Sequence, residues 1–133
     1  MAQDIFIKFK GLEGESQDFS HKGEIEVIRW KWAVSQPANM HSGSGGGAGK
    51  STVGDLHFDH RLDKASPNLL QYCLTGKHIP EVVLTVRKAG GSPLEYLRVT
   101  LEEVIIASNQ RANSQQYLSQ LSNHRRHRCS LPD

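Results

Sequence analysis

At 133 residues the chain is long enough to bury one real core and too short for two independent ones. Its formal net charge of +2 conceals a split: residues 1–108 carry 12 Lys or Arg against 13 Asp or Glu, whereas residues 109–133 carry four Arg and a single acid. A nearly neutral body excludes the clustered basic face of a nucleic-acid binder, and the two cysteines, Cys73 and Cys129, are too few for a disulfide framework. The first six residues have no basic n-region and no apolar h-region, and no stretch approaches a membrane-spanning length. The expectation is a protein made in the cytoplasm, exported, if at all, without a signal peptide, and not inserted in a membrane.

The periodicity along the chain is mostly two. Ile5, Ile7 and Phe9 alternate with Phe6, Lys8 and Lys10 as a short strand with one strongly apolar face. A charged, glycine-punctuated turn follows through Gly11, Gly14, Ser16 and Gly23. Glu24 to Val34 gives the clearest strand. Its alternation puts Ile28, Trp30, Trp32 and Val34 on a core-facing side, and Ile25, Val27, Arg29, Lys31 and Ala33 on the other.

Residues 35–52 hold no core-forming run and many glycines, which predicts an exposed loop. In the next strand, Thr52 to Leu62, the residues Leu56, Phe58, His60 and Leu62 share one face. Asp55, His57, Asp59 and Arg61 share the other. Ser66-Pro67-Asn68 opens the single helix, with Ser66 as N-cap and Pro67 at the first helical position. Leu69, Leu70, Cys73 and Leu74 form its apolar stripe and Gly76 its stop. Strands over Pro80–Lys88 and Leu94–Ser108 follow. About five strands and one helix predict a mainly β fold, an antiparallel two-sheet β-barrel or sandwich with one lateral α-helix. Past Ser108 the alternation stops. A short helix near Gln115 to Leu121 and a disordered basic end are the expectation there.

Three groups invite a chemical reading. Ser42 to Ser51 ends in Gly-Lys-Ser like a phosphate-binding loop, but Ser44 stands where that pattern needs glycine, and a period-two strand follows where it needs a helix. Asp55, His57, Asp59 and Arg61 have spacing compatible with a metal or an acid–base pair, yet no nucleophile or second ligand cluster accompanies them. His124, His127 and Cys129 lie in the basic end and form no recognisable ligand set. No catalytic, metal or cofactor site is expected. Trp30 and Trp32 on one strand face leave a second class open, a β-sandwich carbohydrate- or protein-binding module, although Ile28 and Val34 extend the same stripe as core.

The motifs in order carry a resemblance. Asp4-Ile5-Phe6-Ile7-Lys8, Gly14-Glu15-Ser16, Trp30-x-Trp32, Met40-His41 and Gly47-Ala48-Gly49-Lys50 resemble the hemolysin-coregulated protein (Hcp) family of type VI secretion. So do Asp63-Lys64-x-Ser66-Pro67-Asn68-Leu69, Cys73-x-x-Gly76-Lys77-His78, Leu84 to Gly91 and Glu95-Tyr96-Leu97. The resemblance implies a barrel whose copies close into hexameric rings. Such rings stack into a tube that is driven by a sheath, tipped by a spike, and carries or chaperones effector proteins in its lumen. It implies no enzyme activity and no cofactor. It also implies that Met40, His41, Gly45, Gly46, Gly47, Gly49 and Lys50 lie in a ring-stacking loop, and that Arg29 and Lys31, pointing away from the core, face the lumen. The family continues with a closing strand where this chain has Asn109-Gln110-Arg111. The expected organisation is therefore a barrel domain over 1–108 that lacks its closing strand, and a divergent tail over 109–133.

Overall fold

The computed structural model describes residues 3–36, 52–89, 94–111 and 116–130. Its strands are β1 (Gln3–Phe9), β2 (Ile25–Lys31), β3 (Val34–Ser35), β4 (Thr52–Val53), β5 (Leu56–Arg61), β6 (Ile79–Lys88), β7 (Leu94–Arg111) and β8 (Gln116–Ser130), with one helix, α1 (Ser66–Thr75), between β5 and β6. Six strands close an antiparallel barrel in the order β1-β2-β5-β8-β7-β6, and β3 and β4 form a separate two-stranded ribbon.

The core follows from period-two alternation on each strand. Ile5, Ile7 and Phe9 of β1, Leu56 and Phe58 of β5, Val82, Leu84 and Val86 of β6, and Val99 and Leu101 of β7 all enter the barrel interior. Leu69 and Ala65 are fully buried where α1 packs on β7. The rest of the expected helical stripe is less covered: Leu70 and Leu74 are exposed. The helix starts one residue earlier than a Ser66 cap implies. Ala65 is the cap residue, and Asp63 satisfies the free amide, its carboxylate accepting from Ala65 N–H at 2.8 Å. Ser66 Oγ instead accepts from Asp63 N–H at 2.9 Å. Gly76 closes the helix at φ 66°, a left-handed conformation that glycine adopts without strain.

Two expectations are corrected. On β2, the first half faces the opposite way to the simple alternation: Ile25 and Val27 are buried and Ile28 is exposed. The ladder with β5 shifts between Val27 and Arg29, and this bulge reverses the parity, so that Trp30 and Trp32 still pack on the core. The second correction concerns the end of the chain. Residues beyond Ser108 do form a closing strand: β7 runs on to Arg111, and β8 pairs with β5 through Leu56↔Leu121 and with β7 from Arg98↔Ser130 to Arg111↔Tyr117. The segment expected to form a short helix is strand from Gln116 onward.

The reason β8 is hard to see is chemical. At the position two residues before buried Leu121 the core receives a serine: Ser119 is 3% exposed, and so is not counted in an apolar alternation. Its partner is His60, fully buried on β5. His60 Nδ1 donates to the Arg61 carbonyl at 2.9 Å, which leaves Nε2 to accept from the Ser119 hydroxyl at 3.3 Å. Asn109 Nδ2 donates to the same Ser119 oxygen at 3.3 Å. This tautomer satisfies the buried ring in its neutral form.

Burial holds the His60 pKa below the ordinary imidazole value, outweighing the Arg61 carbonyl and the charges of Asp63 and Asp59. In the unfolded chain His60 takes up a proton near about pH 6.5, whereas the folded chain resists it to lower pH. Over that interval the unfolded state binds more protons, so stability falls as the pH drops below about 6.5. Urea midpoints measured from about pH 7 to pH 5 are expected to decline less steeply in His60→Leu than in the parent. Equal slopes would show that His60 is not the titrating group.

Candidate functional site

Arg29 and Lys31 stand on β2 after the bulge, on the side away from the core, and both are exposed. The register sets Arg29 beside Asp59 and Lys31 beside His57 of β5. Arg29 Nε donates to Asp59 Oδ2 at 3.1 Å, and a terminal guanidinium nitrogen lies 3.0 Å from the same oxygen. With the Arg29 side chain 71% exposed, this pair contributes little stability and is free to exchange partners. Arg61 is exposed two residues further along β5. Asp55, on the same strand face, accepts a hydrogen bond from Gln120 of β8. Of the four polar residues predicted to share a face, Asp59 and His57 are thus brought beside Arg29 and Lys31, with Asp55 and Arg61 flanking them along the chain. They form a mixed, net basic surface.

The tryptophans do not make a ligand platform. Trp30 and Trp32 are half-buried against the core, and Trp32 Nε1 donates to the Gly54 carbonyl at 3.1 Å. Met40, His41, Gly45, Gly46, Gly47, Gly49 and Lys50 lie outside the described residues. The ends of their segment are placed: Ser35 of β3 is the register partner of Thr52 of β4, and Gly54 N–H donates to the Ala33 carbonyl at 2.8 Å. The residues on either side of the segment are therefore held together as a paired two-stranded stem.

A polar cluster under the 11–24 connection was not foreseen from the sequence. Arg87 of β6, 7% exposed, donates through Nε and a terminal nitrogen to Asp4 Oδ2 at 3.3 and 3.2 Å. It also donates to Asp18 Oδ2 at 2.9 Å and to Asp18 Oδ1. Arg87 holds the Asp18 carboxyl below the usual carboxylate range, and Asp18 raises the guanidinium's own value in return. Its guanidinium carbon lies 4.9 Å from the Phe6 ring centre, and the His21 ring stacks on Phe6 at 4.6 Å. The only sequence signal was parity: Arg87 and Phe6 sit opposite the core-facing residues of their strands, at positions normally given to solvent.

A family model described as type VI secretion system effector, Hcp, matches residues 6–127. The chain belongs to the Hcp family. It is 51% identical over 109 residues to protein hcp1 of Pseudomonas aeruginosa, a match covering 81% of this chain and 67% of that one. Among solved structures it is similar to Hcp1 from Salmonella typhimurium, with 43% identity, TM-score 0.75, and 92% and 82% of the two chains covered. A type VI secretion system effector from Yersinia pestis is equally similar at 43% identity and TM-score 0.75, with 90% and 82% covered. As an Hcp, the chain is a structural subunit of the type VI secretion tube, a β-barrel protein of an oligomeric secretion assembly.

Proposed function

We propose that this chain is the protomer of a hexameric ring, that its rings stack through the loop between β3 and β4, and that the stacked lumen carries effectors without catalysing any reaction. The observation that carries the reading is the family match across residues 6–127 on a barrel closed by six strands. The remaining partners in this reading are the spike and sheath of the secretion apparatus. Within this reading the protein is secreted through that apparatus.

Within that reading Arg29 and Lys31 face the lumen. Arg29, Lys31 and Arg61 outnumber Asp55 and Asp59 on their surface, which favours acidic or amphipathic cargo held by exchangeable contacts. Arg29→Glu with Lys31→Glu is expected to leave ring assembly intact, because neither side chain enters the core. Co-purification of a bound effector is expected to fall several-fold, since like charges then meet Asp59 and the cargo. Unchanged effector recovery from intact rings removes these two residues from the cargo surface.

A further inference from the structure

The 11–24 connection folds back over β1, β6 and β7, and one side chain near its end joins it to β7. His21 is 6% exposed. Its Nδ1 lies 2.7 Å from Glu24 Oε2, within the connection, and its Nε2 lies 2.6 Å from Glu95 Oε1 on β7. A neutral imidazole carries one N–H and can donate to only one carboxylate. Two short contacts to two carboxylates need both nitrogens to donate, which is the geometry of the imidazolium. The alternative, a protonated carboxyl donating to a ring nitrogen, also needs one additional proton in the triad.

The surroundings support a charged ring. Glu95 Oε2 accepts from Arg98 of β7 at 3.0 Å, which anchors that carboxylate beside His21. From the connection itself, Asp18 Oδ2 accepts the backbone N–H groups of Ser20 and His21 at 3.0 and 3.2 Å. Arg87 of β6 fixes Asp18, and Asp4 of β1 fixes Arg87. Lys8 of β1 and Glu81 of β6 line the same cleft of about 460 Å³ into which His21 points. The cleft gives water, and hence protons, access to the latch. The turn so braced carries Phe19, whose side chain is fully exposed.

We propose that His21 is a proton-dependent latch. Doubly donating, it clamps the 11–24 connection to β7 and presents Phe19 on a fixed turn. On losing a proton it releases one of its two carboxylates, and the connection loosens while the barrel stays folded. The role goes beyond tube assembly and concerns the single protomer.

The test is nuclear magnetic resonance on the full chain, with ¹⁵N-labelled histidine and backbone amide exchange followed from about pH 6 to pH 9. At the low end both His21 ring nitrogens are expected to carry protons. As the pH rises, protection of the connection's internal amides, Gly14 to the Gly23 carbonyl and Gly23 to the Ser16 carbonyl, is expected to fall about tenfold after correction for intrinsic rates. Amides of β6 paired to β1 are expected to hold. His21→Phe keeps a ring on Phe6 and is expected to lose the pH dependence. Glu95→Gln, which keeps the side-chain shape, is expected to weaken it and serves if His21→Phe folds poorly. A single ring proton throughout the range, or the same pH dependence in these variants as in the parent, overturns the proposal.

Discussion

Deleting residues 116–133 is expected to destroy the cooperative unfolding transition of this protein. β8 is paired along both edges, to β5 through residues 116–121 and to β7 through residues 117–130. Its loss leaves two facing rows of unpaired backbone groups in what was a closed barrel. Leu121, 1% exposed, leaves a hole in the core, and buried His60 and half-buried Asn109 lose the Ser119 hydroxyl. A domain of this size has a net stability of about 5–15 kcal/mol, and the removal of a whole central strand reaches that scale. Thermal melts by circular dichroism are expected to show no sharp transition in the truncated chain, accompanied by aggregation through the open edges. A melting temperature close to that of the intact chain would show that the described pairing of β8 contributes nothing.

Replacing Met40 to Ser51 with a tight turn is expected to leave rings intact and abolish ring-on-ring assembly. The proposal is that this glycine-rich segment makes the stacking contact. The geometry is that Ser35 and Thr52 are already paired neighbours, so a short hairpin turn can connect the stem without pulling on the barrel. Few apolar residues are removed: Met40 and Ala48 are the apolar side chains in the excised stretch. Electron microscopy of the concentrated variant is expected to show separate rings where the parent forms stacks. Normal tubes from the trimmed protein would take the loop out of the stacking interface, and a failure to fold would make it structural.

How much of this was legible in the sequence depends on where the strands obey simple alternation. β1, β5 and β6 do, and Ile5, Ile7, Phe9, Leu56, Phe58, Leu84 and Val86 fall inside as their parity requires. β2 does not, because a bulge at Ile28 reverses its parity, and bulges have no reliable mark in residue type. β8 was missed for two reasons: its inward position at Ser119 is polar and satisfied by His60, and β7 shifts register against it twice, between Glu102 and Val104 and between Ile106 and Ser108. An alternation rule counts apolar residues and is blind to a buried hydrogen-bonded pair. The candidate surface was better placed. Arg29 and Lys31 do point away from the core, whereas their pairing with the β5 face needed the register. The Arg87–Phe6–His21 cluster was invisible, since it depends on the 11–24 connection folding over a strand face that reads as solvent.

The central claim is that this barrel works as the repeating unit of a ring, and the mass of the purified chain in solution tests it most directly. Sedimentation or native mass spectrometry at micromolar concentration is expected to give a species six times the 14.8 kDa of the single chain. A stable, folded monomer that does not assemble as its concentration is raised would contradict the account.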